Sequence, residues 1–268
     1  MKKYLKKLVT ALSLIGINLR MVKESWGGLP RYLSNLRYFS RLQNFSKWKL
    51  NIYPIFGDRN SSSAMLGEYF WQDLFVATKI IEENPRRHID VGSRIDGFVA
   101  HLACVRKVEV FDIRPLEYQI SNVKFVQWDL TGLSTDRVGI SDCVSCLHTL
   151  EHIGLGRYGD NLDPDGWVKG IVSLTSLVAL GGKLWVSVPV GRQRIEFDAH
   201  RVFHPSTIID EVNKHGMKLS KLFYFKDCKI IESVDIEKDI NHLSQEDYTL
   251  GIFLFTKIKD DQFNDGSN

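Results

Sequence analysis

Two polar clusters contain the residue types that acid-base chemistry needs. Residues 147–166, LHTLEHIGLGRYGDNLDPDG, supply His148, Glu151, His152, Arg157, Tyr158 and Asp160, and residues 194–205, RIEFDAHRVFHP, supply Asp198, His200 and His204. Histidine titrates near neutrality, so a His or Asp placed beside a hydroxyl can take its proton as the oxygen becomes a nucleophile. His152, Asp198 and His200 are the candidates for that base. Glu151, Arg157, Tyr158, Asp160 and His204 are the candidates for holding the acceptor. Asp163, Asp165 and Gly166 are adequately explained as a turn and helix cap. The Asp/His mixture could also hold a divalent metal, but none is expected.

A second set of residues has the spacing of a nucleotide site. The stretch HIDVGSRIDGF, residues 88–98, runs like a strand into a glycine turn, with Gly92 and Gly97 at the first and last places of G-x-G-x-x-G and Arg94 at the middle one. The middle glycine is what lets a backbone approach a pyrophosphate, so the ligand here need not carry one. Asp90 lies in this first strand, Asp112 follows 22 residues later at the end of the second, and Asp129 ends the third. Ligands of open α/β sheets bind beyond the carboxyl ends of the strands, which places Gly92, Asp112 and Asp129 on one crevice. A single carboxylate can accept both ribose hydroxyls, which suits Asp112, and Asp129 could take the exocyclic amine of adenine. The ligand predicted is an adenosine whose remaining part need not carry a pyrophosphate, and Asp90, Gly92, Arg94, Gly97, Asp112, Asp129 and His148 are the candidate residues for binding this cofactor.

These residues must be positioned by alternating helices and strands. Ser61–Ser63 can cap a helix that runs to about Asn84, where Pro85 stops it. Strand RRHIDVGS, a short helix near 98–105, and strands KVEVFD, VKFVQWD and SDCVSCLH follow. Next come helix GWVKGIVSLTSLVAL, strand GKLWVSVPV, a helix near 205–214, and two extended segments, LSKLFYFKD and YTLGIFLFTKI. The alternation predicts a mostly parallel sheet covered on both faces, and the closing pair an antiparallel C-terminal edge. At 268 residues and 44% hydrophobic composition, the chain can bury the core of one large domain. That domain is expected over residues 61–258, preceded by a basic helical extension over 1–60 and followed by a polar, disordered tail over 259–268.

Four cysteines are too few and too irregular for a disulfide framework, so a reducing, cytoplasmic setting is expected. Cys143 and Cys146 lie three apart in a strand-like run, where they point to opposite faces and read as core. Charge is distributed unevenly. Residues 1–50 hold eleven Lys/Arg against Glu24 alone, a surplus of ten, so residues 51–268 carry a net −7 within a chain of net +3. In MKKYLKKLVTALSLIGINL the apolar residues recur at helical spacing below Lys2, Lys3, Lys6 and Lys7, an amphipathic basic helix whose apolar run is shorter than the about 20 residues that span a bilayer. The basic and aromatic pattern continues through residues 29–50. Such a segment either rests on an anionic membrane surface, at its inner face, or packs as a helical arm. No nucleic-acid partner is expected, and the oligomeric state is left open.

The segments HIDVGSRIDGF, VEVFDIRP, VKFVQWDL, SDCVSCLHTLEHIG and GGKLWVSVPV resemble the successive motifs of class I S-adenosylmethionine-dependent methyltransferases, over roughly residues 69–203. LEHIGLGRYGD, with the QD pair Gln72–Asp73 before the first strand, further resembles a bacterial group catalogued as a domain of unknown function. The superfamily usually shows D/E-x-G-x-G-x-G, and this chain departs from it at Arg94. The resemblance implies a Rossmann-like sheet, S-adenosylmethionine as donor, and O-methylation of a sugar in cell-surface polysaccharide or glycolipid assembly, on an acceptor that could be lipid-linked. Two other readings stay open on the residues alone: a non-catalytic relative that keeps the fold for binding, and a nucleotide-sugar oxidoreductase or epimerase. The missing middle glycine and the lack of a Tyr-x-x-x-Lys pair count against the latter.

Overall fold

A computed structural model describes residues 19–41, 52, 67–132, 137–197 and 199–258. The chain divides into two compact units, residues 1–65 and 66–268. In the first, helix α1 spans Leu19–Phe39, with Pro30 inside it and Arg37 in its last turn, where a cation favours the helix dipole. The amphipathic pattern expected over residues 1–18, the caps expected at Ser61–Ser63 and the tail at 259–268 lie outside the described residues. No helix among the described residues is long and apolar enough to cross a membrane.

The second unit opens with α2 (Glu68–Glu83), which ends as the sequence predicts. Asn84 takes the left-handed conformation (φ 46°), its N–H donates to Ile80 O at 3.0 Å, and Pro85 follows. Then come β1 (His88–Val91), a π-helical turn over Ile95–Val99 that leads into α3 (Ala100–Ala103), β2 (Val108–Asp112), β3 (Val123–Gln127) and β4 (Ser141–Leu147). The chain continues through α4 (Gly166–Leu177), β5 (Val178–Val190), the small hairpin β6 (Arg194–Glu196) and β7 (His200–Val202), and α5 (Pro205–Asn213). It closes with β8 (Met217–Lys226), β9 (Lys229–Glu232), α6 (Ile236–Leu243) and β10 (Thr249–Lys257).

Eight strands form one sheet in the order β3-β2-β1-β4-β5-β10-β8-β9. The first five of that order pair in parallel, whereas β10 is antiparallel to both β5 and β8, and β8 and β9 form an antiparallel hairpin. The antiparallel C-terminal side is thus present, with the last strand inserted inside it. From β1 the chain steps outward to β2 and β3, then returns to lay β4 on the other side of β1. That reversal opens a crevice beyond the strand ends.

Apolar side chains bury both sheet faces. Val76, Ala77 and Ile80 of α2 pack with Phe98, Leu102, Val110 and Trp185 on one face, and Ile171, Leu174 and Leu177 of α4 pack with Ile89, Val144 and Val186 on the other. Cys143 belongs to the first cluster and Cys146 to the second, the two-residue alternation expected of a strand. Two boundaries differ from the expected ones, and the first is the start of α2, at Glu68 after an extended Gly67. Val178–Leu180 begin β5 instead of ending α4, because Gly181 turns left-handed (φ 73°) and residues 179–182 bulge out between the Val178 and Lys183 pairings with β4.

Candidate functional site

The turn after β1 shapes the crevice. Gly92 has φ 73°, and a Cβ there would lie 2.4 Å from Thr149 Cγ2, so glycine is needed both for the backbone conformation and for the approach of the loop after β4. Gly92 N donates to Phe111 O at 2.8 Å, tying the turn to the end of β2. Beneath it, Asp90 Oδ1 accepts Ser93 Oγ and Ser145 Oγ at 2.7 Å each, while Oδ2 accepts Ser93 N at 3.2 Å. Ser93 Oγ in turn accepts Leu147 N at 3.3 Å. Asp90 is fully buried, and burial pushes its carboxyl up to about 7 despite these bonds. The sequence placed Asp90 against the ligand; the structure places it behind the turn, spending its acceptor sites on two serines. Gly97 is likewise off the wall, at a point where a Cβ would lie 2.5 Å from Asp73 Oδ2.

Beyond the ends of β1–β4 lies a cavity of about 280 Å³. Phe111, Ile113, Trp128 and Leu130 give it an apolar wall, with the Phe111 and Trp128 rings edge to face at 5.5 Å. Gly92, Arg94, Asp112, Asp129 and His148 reach the same cavity. Asp112 accepts Arg114 N, Nε and Nη2 at 2.8, 3.0 and 2.7 Å. Asp129 Oδ1 accepts both Thr131 N and Thr131 Oγ1 at 2.8 Å. Arg94 pairs with Asp96 at 2.8 Å, and both side chains are mostly exposed.

The loop after β4 supplies a buried polar cluster. His148 sits at φ 50°, unusual for a residue with a Cβ, and is held there by its N–H donating to Ser187 O at 3.0 Å. Its Nδ1 lies 2.8 Å from Glu151 Oε1, and its ring packs 4.3 Å from that of Tyr69. His148 Nε2 and Glu151 Oε2 are buried without a hydrogen-bond partner among the described residues. His152 Nδ1 donates to Ala199 O at 2.6 Å, which puts the lone pair of the neutral ring on Nε2, 3.6 Å from Glu151 Oε1. Burial lowers the His152 pKa, with the Glu151 charge opposing. Burial, helped by Glu151, pushes Tyr69 up to about 12.

The remaining predicted site residues divide. Tyr158 and Asp160 reach the cavity, although Asp160 also fixes its own loop by accepting Gly154 N at 2.6 Å and Tyr158 N at 3.2 Å. Glu151 stands behind His148, and Arg157 donates outward to Ala199 O at 2.9 Å. His200 packs its ring 5.9 Å from Tyr248, and His204 caps α5 with Nδ1 accepting Ser206 N at 3.2 Å. None of these four lines the cavity. Asp198 lies outside the described residues. No set of three His, Cys, Asp or Glu among the described residues is arranged to hold a metal ion.

Sequence reasoning missed the contribution of α2, whose first two turns bring Tyr69, Gln72 and Asp73 to the cavity. A signal was present: Gln72 and Asp73 interrupt the helix's apolar pattern, yet both are buried. Arg114 and Trp128 were also missed.

The family model described as Caenorhabditis protein of unknown function, DUF268, matches residues 105–209, a stretch that runs from before β2 into α5 and contains LEHIGLGRYGD. A comparison with curated protein sequences finds no match. Among solved structures, the chain is similar to the cyclase SpnF, at 12% identity over 70% of this chain and 80% of that one with a TM-score of 0.51. It is also similar to a candidate sarcosine dimethylglycine methyltransferase from Galdieria sulphuraria, at 11% identity over 70% and 84% of the two chains with a TM-score of 0.50. These likenesses establish the fold, a Rossmann-like, mostly parallel sheet with antiparallel edge strands.

Proposed function

We propose that the chain is a methyltransferase that uses S-adenosylmethionine and acts on a hydroxyl, with a sugar of a cell-surface polysaccharide or glycolipid as acceptor. The observation that carries this reading is the cavity at the strand ends, where an apolar aromatic wall and two carboxylates on successive strands meet a glycine turn. Phe111, Ile113, Trp128 and Leu130 offer adenine a flat apolar surface. Among the described residues both bonds to the Asp129 carboxylate fall on Oδ1, which leaves Oδ2 to accept the exocyclic amine. Asp112 fits the ribose once the Arg114 side chain, which is 53% exposed and donates to both carboxylate oxygens, moves aside. The volume of about 280 Å³ is near the lower end for small-molecule sites, about 300 Å³.

When bound, the donor would supply a methyl group already activated on a sulfonium. The protein's work is to hold the acceptor in line and to receive the hydroxyl proton. His152 is suited to receive it, being kept neutral by burial with its lone pair on Nε2, and Glu151 stands close enough to stabilise the imidazolium that results. The glycan acceptor rests on the sequence resemblance, and the basic first unit agrees with an acceptor presented at a membrane.

Calorimetry with S-adenosylmethionine, S-adenosylhomocysteine and the nicotinamide dinucleotides tests the donor. Binding of the first two and not the dinucleotides is expected, and preference for a dinucleotide would overturn the reading. Transfer of a labelled methyl group from the donor to lipid-linked glycans, with protein acceptors as the comparison, tests the acceptor.

A further inference from the structure

Two arginines share one aromatic ring at the cavity. The guanidinium carbon of Arg114 lies 4.9 Å from the centre of the Tyr158 ring, and that of Arg157 lies 5.2 Å from it. The sequence GRYGD builds this arrangement. Gly156 and Gly159 take left-handed conformations (φ 77° and 86°) on either side of Arg157 and Tyr158. Asp160 clamps the turn by accepting Gly154 N at 2.6 Å, Gly156 N at 3.3 Å and Tyr158 N at 3.2 Å, so both of its oxygens are committed to their own loop. Arg157 donates to Ala199 O at 2.9 Å and has no carboxylate within ion-pair distance among the described residues.

Arg114 does have such a partner, Asp112, which accepts its Nε and Nη2 at 3.0 and 2.7 Å. That is the carboxylate a ribose would claim. Once ribose hydroxyls take Asp112, the guanidinium loses both bonds and is left beside Tyr158, on the same ring as a second guanidinium that has no counter-charge. Guanidinium groups so placed are stabilised by an oxyanion, whose oxygens accept their paired N–H donors. A phosphoryl group, with more charge and more oxygens than a carboxylate, meets two such groups better than a carboxylate does. Tyr158 also packs edge to face on His152, with ring centres 5.4 Å apart, so an anion held at Tyr158 brings whatever is attached to it towards the base.

Resting on the donor reading above, we infer that donor binding frees Arg114 to form, with Arg157 and Tyr158, a site for a phosphoryl group carried by the acceptor. The acceptor is then a phosphorylated sugar, whether on a nucleotide or on a lipid diphosphate, and it binds after the donor.

Calorimetry on the full chain with inorganic pyrophosphate, in the presence and absence of saturating S-adenosylhomocysteine, tests this. Pyrophosphate should bind about tenfold to a hundredfold more tightly when S-adenosylhomocysteine is present, the range for a hydrogen bond to a charged group, and by linkage should tighten S-adenosylhomocysteine by the same factor. Arg114→Gln should abolish that difference while binding S-adenosylhomocysteine at least as tightly as the unaltered chain, since no ion pair has to open first. Arg157→Gln should weaken pyrophosphate and leave S-adenosylhomocysteine unchanged. Uridine diphosphate and geranyl diphosphate in place of pyrophosphate distinguish the two sources: tighter binding of the first bears the inference out for a nucleotide sugar, and of the second for a lipid-linked one. Pyrophosphate binding that ignores S-adenosylhomocysteine, as attachment to the basic first unit would, overturns the inference while the donor reading stands. An Arg114→Gln variant that keeps the coupling overturns it equally. If S-adenosylhomocysteine itself does not bind, the donor reading and this inference fall together.

Discussion

At the scale of single residues, the crevice acids and the loop histidines make separate predictions. Asp112 sits at the end of β2 with its carboxylate on the cavity, so Asp112→Ala should cost about 1.5–3 kcal/mol of donor binding by calorimetry. Unchanged affinity in a folded variant would remove Asp112 from the site. His152→Ala should lower turnover by about 10²–10⁴-fold with donor affinity preserved, whereas His200→Ala, whose ring packs on Tyr248 off the cavity, should leave turnover near normal. Equal losses in both variants would mean that position at the cavity does not select the base. The base must be unprotonated to work, and burial lowers the His152 pKa, so the rate should persist further into acid than an ordinary histidine allows and fall as pH drops through that lowered value. Gly92, Asp112 and Asp129 were legible because each ends its own strand or follows it by a residue or two. Tyr69, Gln72 and Asp73 were not, because their place depends on how α2 docks on the sheet, which no local spacing encodes.

At the scale of elements, the buried strands and the two long helices of the second unit could be read from the sequence. Their hydrophobic runs must satisfy both sheet faces, and Pro85 marks a helix end by chemistry alone. The hairpin β6–β7, strand β9 and helix α6 were not legible. The hairpin and β9 are short and only partly buried, so little apolar periodicity records them, and α6, although Ile236, Ile240 and Leu243 recur at helical spacing, is only eight residues long. The junction of β1 with β4 gives a prediction of its own. His88 is buried, its Nε2 lies 2.8 Å from Ser145 Oγ, and Ser145 Oγ donates to Asp90. With that proton committed to Asp90, the serine oxygen accepts from His88 Nε2–H, leaving Nδ1 buried without a hydrogen. Burial lowers the His88 pKa to about 3, against an unfolded value of 6.5. The unfolded chain therefore binds the extra proton first, and the neutral histidine's contribution is fully present above pH 6.5 and is lost as pH falls towards 3. Asp90 acts in the opposite sense: raised to about 7, it favours the folded state at low pH and withdraws that support as pH rises from 3.8. Thermal melting of His88→Gln against the unaltered chain separates the two, because the variant should lose part of the fall in stability between pH 6.5 and 3. Identical profiles would mean that His88 is not what destabilises the acid form.

At the scale of the whole molecule, charge divides where the chain divides. The basic surplus of ten lies within residues 1–50, inside the first unit, and the remainder carries a net −7. Helix α1 continues that pattern, carrying Arg20, Lys23, Arg31 and Arg37 against Glu24, with Leu29 and Leu33 exposed. This asymmetry was legible because net charge needs no fold to be counted. The division at residue 65 lies five residues beyond the boundary expected between residues 60 and 61. The second unit, with its net negative charge, is repelled by an anionic bilayer, so attachment would have to come from the basic unit. Each Lys or Arg near such a surface contributes about 1 kcal/mol, and a few of them give reversible binding that salt weakens. The full chain should therefore sediment with anionic vesicles at low salt, stay in solution with neutral ones, and be released as salt rises. Removal of residues 1–65 should abolish sedimentation while leaving melting temperature and donor affinity unchanged. The opposite pattern, a full chain that ignores anionic vesicles and a shortened one that melts early or aggregates, would make the basic unit a structural support and remove the membrane from the account.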